Sequence, residues 1–172
     1  MKLKNREGVM EKGSVGVFHV VKDNHKCKVL LVRHGNGEKK WGLPGGGMHQ
    51  GENPKEAAIR ETKEETGLFI PDVSFVGGFG LKKSFGVVWL FESVLDEKNY
   101  RVANRWMSPD GREIEECGFF YIAEIKELEE RSLIYSAQFG FIQWAFLPSE
   151  ARPYFGNPSN SFLNLMPIEL CF

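Results

Sequence analysis

The first half of the chain alternates apolar runs with polar turns, a pattern that predicts β-strands. Residues 14–21 and 28–33 are rich in Val, Leu and Phe, and a polar segment at 22–26 separates them. Short β-branched and aromatic runs bounded by polar turns are typical of strands, so we predict that these two form a hairpin. Further runs predict strands at 72–79, 86–95 and 113–122.

A helix is indicated by signals at both of its ends. Asn53 is a good N-cap residue, Pro54 suits the first helical position, and Glu56 completes a capping box. Gly67 is a natural stop at the C-terminal end. The sequence therefore predicts a helix over 54–66.

Residues 133–146 carry a second helical pattern. Apolar side chains recur there every three or four positions, so we predict a helix that packs this face against the core. The polar residues 96–112 predict a long loop, which in a compact domain often has a functional role. After residue 148 the chain has three further prolines and no clear period, so we expect an irregular tail.

The composition is that of an ordinary globular protein. The chain has 172 residues, of which 42% are hydrophobic and 26% charged, so we expect a single domain over 1–172 with a buried core. The formal net charge of -1 gives no general basic field, and we expect no nucleic-acid partner. No run of about 18 apolar residues is present, so we expect no membrane span.

The cysteines and histidines show none of the spacings that metal sites use. Cys27, Cys117 and Cys171 are scattered without a CxxC motif, which argues against a disulfide framework and predicts a reducing, cytoplasmic location. The four histidines show no ligand spacing either, and we expect them at the surface or in loops. Apolar tail residues such as Phe155 and Phe162 could cover a second copy, so the sequence allows a homodimer.

Three glutamates give the first helix its candidate chemistry. At about 100° per residue, Glu61, Glu64 and Glu65 fall within an arc of about 100°. Like charges four residues apart repel, and a cation between the carboxylates would remove that repulsion. Hard divalent ions favour carboxylate oxygens, so Mg²⁺ or Mn²⁺ is the cofactor indicated. A solvated acidic helix, balanced by its own basic residues, is the alternative.

A glycine-dense corner at residues 41–47, just before this helix, favours the chemical interpretation. Backbone without side chains can approach a phosphate closely or offer a carbonyl group to a metal. Carboxylates, a metal ion and close backbone are the usual parts of a phosphoryl-transfer site.

The segment from Gly46 to Leu68 resembles the signature of the Nudix hydrolases, G-x5-E-x7-R-E-U-x-E-E-x-G-U, in which U is a bulky aliphatic residue. The matching residues are Gly46, Glu52, Arg60, Glu61, Glu64, Glu65, Gly67 and Leu68. Thr62 stands at the first aliphatic position and is the one departure, which we expect to weaken packing and not the chemistry. The resemblance implies an α/β fold, an α/β/α sandwich with a mixed sheet between helices.

The resemblance also implies roles for the matching residues. The implied metal-binding residues are Gly46, Glu52, Glu61, Glu64 and Glu65. Gly46 would contribute its carbonyl group, and Glu52 would support the site, in some members through water. Glu61 and Glu64 would also take part in catalysis, and Arg60 would orient a catalytic glutamate.

Three residues outside the signature are further candidates. Arg33 ends the second predicted strand and could bind a substrate phosphate, and Trp41 joins it as a substrate-binding candidate. Family members commonly recruit a later glutamate as ligand or general base, and Glu116, shortly before an aromatic pair, matches best. On a regular strand Glu113 and Glu115 would face away from Glu116. Solvated charges at a strand edge are the alternative for all three glutamates.

The reaction implied by the resemblance is hydrolysis of a phosphoanhydride bond. The substrate would be a nucleoside diphosphate linked to another group, and water would attack phosphorus with the help of the metal. Two alternatives stay open: a sanitising pyrophosphatase of nucleoside triphosphates, and a domain that senses a nucleotide without cleaving it. The complete set of signature carboxylates argues against the sensing domain. We expect specificity to come from loops outside the signature.

Overall fold

The computed structural model describes residues 15–23, 27–35, 37–81, 86–96, 106–107, 113–148 and 152. Eight strands and three helices lie within these residues. The strands are β1 (Val15–Asp23), β2 (Lys28–His34), β3 (Trp41–Gly42), β4 (Gly45–Gly47), β5 (Ser74–Leu81), β6 (Gly86–Leu95), β7 (Trp106–Met107) and β8 (Glu113–Tyr121). The helices are α1 (Pro54–Thr66), α2 (Ile122–Glu130) and α3 (Ser136–Phe146).

All eight strands belong to one mixed sheet. Its order is β5-β6-β1-β2-β8-β7, with β3 paired to β2 and β4 paired to β1. Strands β1 and β6 run parallel over the whole length of β1, and the other pairs are antiparallel. Parallel neighbours need a long connection between them, and here that connection contains β2, the glycine corner, α1 and β5.

Helices cover both faces of the sheet. Successive side chains of a strand point to opposite faces, and the neighbours Val20 and Val21 of β1 are both buried, so each face needs a cover. On one face, Ala57 of α1 is buried in a cluster with Val21 of β1. On the other face, Ile125 of α2 and Phe141 of α3 share a core cluster with Val20. The expected α/β fold, with a mixed sheet between helices, is therefore confirmed.

Helix α1 has the predicted bounds because both of its caps form. The Asn53 side chain accepts a hydrogen bond from the Glu56 N–H at 3.0 Å, and Glu56 accepts one from the Asn53 N–H at 3.1 Å. Gly67 has a φ of 75°, in the left-handed region, and its N–H donates to Lys63 O at 2.9 Å. These caps fix where the helix begins and ends, and the burial of Ala57 and Ala58 fixes which side of it faces the sheet.

The predicted hairpin is confirmed only next to its turn, where β1 ends and β2 begins. Strands β1 and β2 pair through Lys22↔Val29 and Asp23↔Lys28. Further along, β1 pairs with β4 and β6, whereas β2 pairs with β8. The opening between the two strands admits the glycine-rich corner into the sheet.

Two helical segments differ from the sequence-based expectation. The strand predicted over 113–122 ends one residue earlier, at Tyr121. Helix α2, which was not predicted, begins at Ile122. Helix α3 begins at Ser136 and not at Leu133, because the intervening residues bond to the corner. The Trp41 N–H donates to Leu133 O at 2.8 Å, and the Tyr135 N–H donates to Trp41 O at 3.1 Å.

The predicted loop at 96–112 and the tail after 148 lie mostly outside the described residues, so the irregular tail and the single domain over 1–172 stay predictions. Within the predicted loop, Trp106–Met107 form β7 and pair with β8, so the expectation of a continuous loop is wrong there. Arg152 is described, and its guanidinium donates to Ala145 O at 2.7 Å and contacts Glu92. No helix in the described part of the chain is both long and apolar enough to cross a membrane.

Candidate active site

The glycine-rich corner is attached to the rest of the fold on several sides. Strand β3 pairs with β2, and β4 pairs with β1. The Gln138 side chain of α3 accepts a hydrogen bond from the Leu43 N–H at 2.6 Å. The His19 N–H of β1 donates to Pro44 O at 2.9 Å. These bonds fix the backbone that α1 approaches.

Two glutamates of α1 lie directly against this corner. A Cβ atom at Gly46 would overlap the Glu61 carboxyl group, so glycine is needed to leave room for that carboxylate. Glu65 Oε2 accepts a hydrogen bond from the Gly45 N–H at 2.9 Å, and Glu65 Oε1 lies 3.6 Å from His34 Nε2. Both carboxylates are buried. Buried acids are unfavourable unless donors or positive charge surround them.

Arg60 supplies positive charge here and joins the other signature glutamates. Its Nε and Nη2 donate to the two carboxylate oxygens of Glu52 at 2.7 and 3.0 Å. Its Nη1 donates to Glu64 at 3.1 Å and lies 3.0 Å from Glu61. The Nη2 group also donates to Gly47 O at 2.9 Å. Arg60 and Glu64 are four residues apart on the helix, and one guanidinium contacts three carboxylates.

The hydrogen bonds of this cluster favour the charged forms of Arg60 and Glu52. Burial alone would raise the pKa of Glu52, but the Arg60 guanidinium and the His49 N–H, at 2.8 Å, lower that pKa overall. Burial also opposes charge on Arg60, but its hydrogen bond to Glu52 and the charge of Glu61 raise its pKa overall. The pair is therefore ionised at neutral pH.

A chain of buried polar groups connects α1 to the sheet. Thr62 Oγ1 donates to Ala58 O at 2.7 Å and lies 2.8 Å from His19 Nδ1. His19 Nε2 lies 2.8 Å from Ser93 Oγ, which donates to Asp72 O at 2.6 Å. His19 is fully buried, so the expectation of a surface or loop histidine is wrong for it. Burial lowers the pKa of His19 to about 4.

Arg33, Trp41 and Glu116, the candidates outside the signature, lie together on β2, β3 and β8. The Arg33 guanidinium carbon is 5.5 Å from the centre of the Trp41 ring, and its Nη2 is 2.9 Å from Glu116 and 3.5 Å from Glu115. Trp41 is 9% exposed and packs edge-on against Phe120, with ring centres 4.5 Å apart. Arg33 is the residue that joins the three candidates.

A β-bulge interrupts the expected alternation of glutamates on β8. The register passes from Arg33↔Glu116 to His34↔Ile114, which leaves Glu115 as the extra residue. Regular alternation would have separated Glu115 and Glu116 on opposite faces, and this expectation is wrong because both contact Arg33.

The donor groups at the corner fit a divalent cation. Carboxylate oxygens of Glu61 and Glu65, beside the bare backbone of Gly46, are the ligand types that Mg²⁺ and Mn²⁺ prefer. The volume that a Cβ of Gly46 would fill is taken by the Glu61 carboxylate, so acid and backbone meet there. Among the described residues no three His, Cys, Asp or Glu side chains already form a metal cluster, and Arg60 supplies the positive charge.

Comparisons with known proteins agree with the signature. The family model described as NUDIX domain matches residues 10–144. The bis(5'-nucleosyl)-tetraphosphatase [asymmetrical] of Mus musculus is 39% identical over 57 residues, which is 33% of this chain and 39% of the relative. An RNA pyrophosphohydrolase of Cellvibrio japonicus is 35% identical over 57 residues, 33% of this chain and 34% of the relative. The chain thus spans less than half the length of these curated relatives.

Solved structures share the fold at low sequence identity. The NUDIX domain of Shewanella oneidensis NrtR, in complex with ADP ribose, has a TM-score of 0.62 at 16% identity and covers 82% of this chain and 90% of that chain. A NUDIX hydrolase from Nitrosomonas europaea has a TM-score of 0.61 at 22% identity and covers 83% and 93%. At these identities the likeness concerns the fold alone.

Proposed function

The chain belongs to the Nudix family, and we propose on that premise that it is a metal-dependent pyrophosphohydrolase. It cleaves a phosphoanhydride bond in a nucleoside diphosphate linked to another group, by attack of water on phosphorus. The observation that carries the proposal is the convergence of the signature carboxylates at the glycine corner, where Glu61 meets Gly46 and Glu65 bonds to Gly45. A domain that only senses a nucleotide does not need this arrangement.

In this proposal the corner and α1 hold Mg²⁺ or Mn²⁺. The assigned ligands are the carboxylates of Glu61, Glu64 and Glu65 and the carbonyl of Gly46, with Glu52 in support. A bound divalent ion lowers the pKa of the attacking water and offsets charge on the phosphate oxygens. The contribution of Arg60 is orientation, because its guanidinium binds Glu52 and Glu64 together.

Glu64 is the carboxylate that we assign to the attacking water, together with Glu61. Its side chain is 29% exposed, against 2% for Glu61 and Glu65, so it is the α1 signature glutamate most accessible to solvent. A group that receives a proton must lie within hydrogen-bond reach of water. Arg60 limits the orientations that this exposed carboxylate can take.

We assign Arg33 and Trp41 to substrate binding. Arg33 is partly exposed, and its buried Nε has no acceptor among the described residues. Phosphate oxygens accept parallel N–H donors from a guanidinium, so an anionic substrate could compete with Glu116 for Arg33. Trp41 is nearly buried and supports the guanidinium through its ring face.

Glu116 is assigned as the later glutamate, acting as ligand or general base. Strand β2 carries Arg33, which pairs with Glu116, and the next residue, His34, which contacts Glu65. Successive side chains point to opposite faces, so Arg33 and Glu116 lie on the face of α2 and α3, where Trp41 is buried, whereas His34 reaches Glu65 on the face of α1. The assignment of Glu116 therefore rests on the family resemblance, and its substitution is the test. The side chain of Glu113, the competing candidate, lies outside the described residues.

The names of the relatives help to choose test substrates. One relative is named as a tetraphosphatase and another as an RNA pyrophosphohydrolase. A panel should therefore contain a nucleoside diphosphate sugar, a bis(5'-nucleosyl) tetraphosphate, a nucleoside triphosphate and a 5'-phosphorylated RNA. Cleavage of the triphosphate alone, to monophosphate and pyrophosphate, would favour the sanitising alternative.

The decisive experiment combines metal removal with labelled water. We expect hydrolysis of at least one panel member to vanish with EDTA and to return with Mg²⁺ or Mn²⁺. Reaction in ¹⁸O water should place the label on a phosphate product, because water attacks phosphorus. Full activity in a thoroughly chelated sample, or label on a sugar carbon, would reject this chemistry.

A cytoplasmic location and a homodimer complete the proposal. The three cysteines are scattered along the sequence without a CxxC motif, as is common in proteins of a reducing compartment. Cell fractionation tests the location. Sedimentation at several concentrations tests the dimer, and comparison with a chain that ends at residue 152 tests the role of the tail.

A further inference from the structure

The Nudix signature has an aliphatic side chain where this protein has Thr62, and the structure gives that difference a partner. Thr62, His19 and Ser93 are all buried. Buried polar side chains are unfavourable unless they are hydrogen-bonded, and each of these three is. The hydroxyl of Thr62 therefore belongs to a bonded chain and does not merely weaken packing.

His19 is bonded to both halves of the candidate site. Its backbone N–H donates to Pro44 O at 2.9 Å, and the preceding residue, Phe18, pairs with Gly45. Its side chain lies 2.8 Å from Thr62 on α1. One residue of β1 thus contacts the glycine corner through its backbone and the helix through its ring.

We propose that His19 is a positioning residue that sets the place of α1 against the glycine corner through its bond to Thr62. The inference rests on the proposed function, because the groups it aligns are the assigned metal ligands. Glu61, which precedes Thr62, meets Gly46, and Glu65, one turn later, bonds to Gly45. A shift or rotation of α1 would move both carboxylates away from the corner.

The directions of the hydrogen bonds identify Thr62 as the better residue to change. Its hydroxyl hydrogen goes to Ala58 O, so its oxygen accepts from the Nδ1–H of a neutral imidazole. Nε2 of this tautomer can only accept, and Ser93 has a single hydroxyl hydrogen, so Ser93 donates either to Asp72 O or to Nε2 and only contacts the other. Ser93 therefore restricts the ring from the β6 side, whereas Thr62 accepts a bond from it.

Thr62→Val gives the sharpest test, because packing and positioning predict opposite results. Valine has a similar shape and restores the aliphatic residue of the signature, so a pure packing role predicts equal or better performance. Positioning predicts Mn²⁺ binding to the full chain that is at least about tenfold weaker by calorimetry without substrate. It also predicts a lower kcat with KM changed by less than about threefold. Thr62→Ser keeps the hydroxyl and should restore the Mn²⁺ affinity.

Thr66→Val is the matched control. Thr66 is buried one turn later on α1 and donates to Thr62 O at 2.6 Å, but it is outside the chain through His19. We expect the Mn²⁺ affinity of Thr66→Val to match that of the unsubstituted chain. An equal loss in Thr66→Val and Thr62→Val would show general loosening of the helix and overturn the positioning role.

The remaining outcomes separate this inference from the proposed function. Unchanged Mn²⁺ affinity in Thr62→Val overturns the positioning role and leaves the proposed function standing. No Mn²⁺ binding and no hydrolysis by the unsubstituted chain overturn both. If Thr62→Val does not fold, Ser93→Ala carries the test, because it frees the ring but keeps Thr62. We then expect Mn²⁺ binding about two- to fivefold weaker, and unchanged binding overturns the inference.

Discussion

Arg60 makes a strongly acidic helix face compatible with burial. Its planar guanidinium binds Glu52 through two parallel donors and reaches Glu61 and Glu64 with the remaining Nη1. A lysine has one ammonium group and could not reproduce this set of contacts. The arginine therefore has two consequences at once, since it lowers the electrostatic repulsion and fixes the directions of the carboxylates.

Replacing Glu64 or Glu65 by glutamine tests the assigned roles of these two side chains. The change keeps the shape but removes the charge that metal-bound water and phosphate depend on, so we expect turnover to fall by several powers of ten. The melting temperature of Glu64→Gln should change little, because this side chain is partly exposed. Steady-state kinetics and thermal unfolding measure both quantities. Glu130→Gln on α2 is the control and should keep full turnover. If Glu64→Gln lowers turnover by less than about tenfold, a ligand role for Glu64 is rejected.

Residue positions within α1 could be predicted because one local rule, the helical period, connects them. The contact of Arg60 with Glu64 spans four residues. The partners of His19, in contrast, are 43 and 74 residues away in the chain, and nothing local indicates that they meet. The one signal available in the sequence was the departure from the signature at Thr62, which we interpreted as weaker packing and which did not predict a polar partner.

At the level of secondary structure, α1 and the glycine corner contribute to the site in different ways. The helix carries the carboxylates, and the corner supplies backbone that no side chain shields. The corner is rigid because β1, β2 and Gln138 all bond to it. Loss of the glycine at position 46 should therefore affect chemistry before it affects folding, because its neighbour is the Glu61 carboxylate and not backbone.

Gly46→Ala tests this separation of roles. The φ of Gly46 is not in the left-handed region, so alanine introduces no backbone strain, but its methyl group would displace the Glu61 carboxylate. We expect a loss of turnover of about a hundredfold with a change in unfolding free energy near 1 kcal/mol. Gly140→Ala is the control, because its methyl would meet nothing within 4 Å in α3. It should stabilise the fold by about 0.5–1 kcal/mol with unchanged turnover. Equal activity in the two variants would contradict the assigned contact.

The elements that could be predicted are those with local end signals. Helix α1 has a capping box and a terminal glycine, and its bounds are confirmed. Helix α2 has neither a capping Ser, Thr, Asn or Asp before it nor a glycine after it, and it directly continues a strand, so the sequence did not separate the two. The β1–β6 pairing joins distant segments, and no local pattern indicates that it is parallel.

The bulge between β2 and β8 leads to a prediction about glutamates outside the signature. Both Glu115 and Glu116 contact Arg33, but Glu116 is the residue that pairs with it in the register. We expect the turnover of Glu116→Gln to be more than tenfold lower than that of Glu115→Gln or Glu113→Gln. Its melting temperature should change little. Single-turnover kinetics would measure the chemical step. Equal, mild effects from all three substitutions would mean that the signature carboxylates act without a later glutamate.

For the whole molecule, the chain from Asp72 through Ser93 and His19 to Thr62 ties α1 to two central strands. Its histidine titrates differently in the folded and unfolded protein. The pKa of His19 is about 4 in the fold, because burial disfavours the charged ring, and 6.5 is its ordinary value. Below pH 6.5 the unfolded chain binds a proton that the folded chain excludes, so stability falls as the pH falls, until the folded ring also protonates near pH 4.

This difference predicts an acid sensitivity above the range in which carboxylates titrate. Between pH 6.5 and about 4, the free energy of unfolding should fall by roughly 3 kcal/mol through His19 alone. The lowered pKa of Glu52 also removes stability on acidification, but below its ordinary value of 4.5, so the two effects separate. Urea unfolding near pH 7 and near pH 5 should show the loss in the unsubstituted chain. His19→Gln retains hydrogen-bonding groups but cannot titrate, and its stability should change much less over the same interval. An undiminished pH dependence in His19→Gln would assign the acid sensitivity to other groups and contradict a neutral, buried His19.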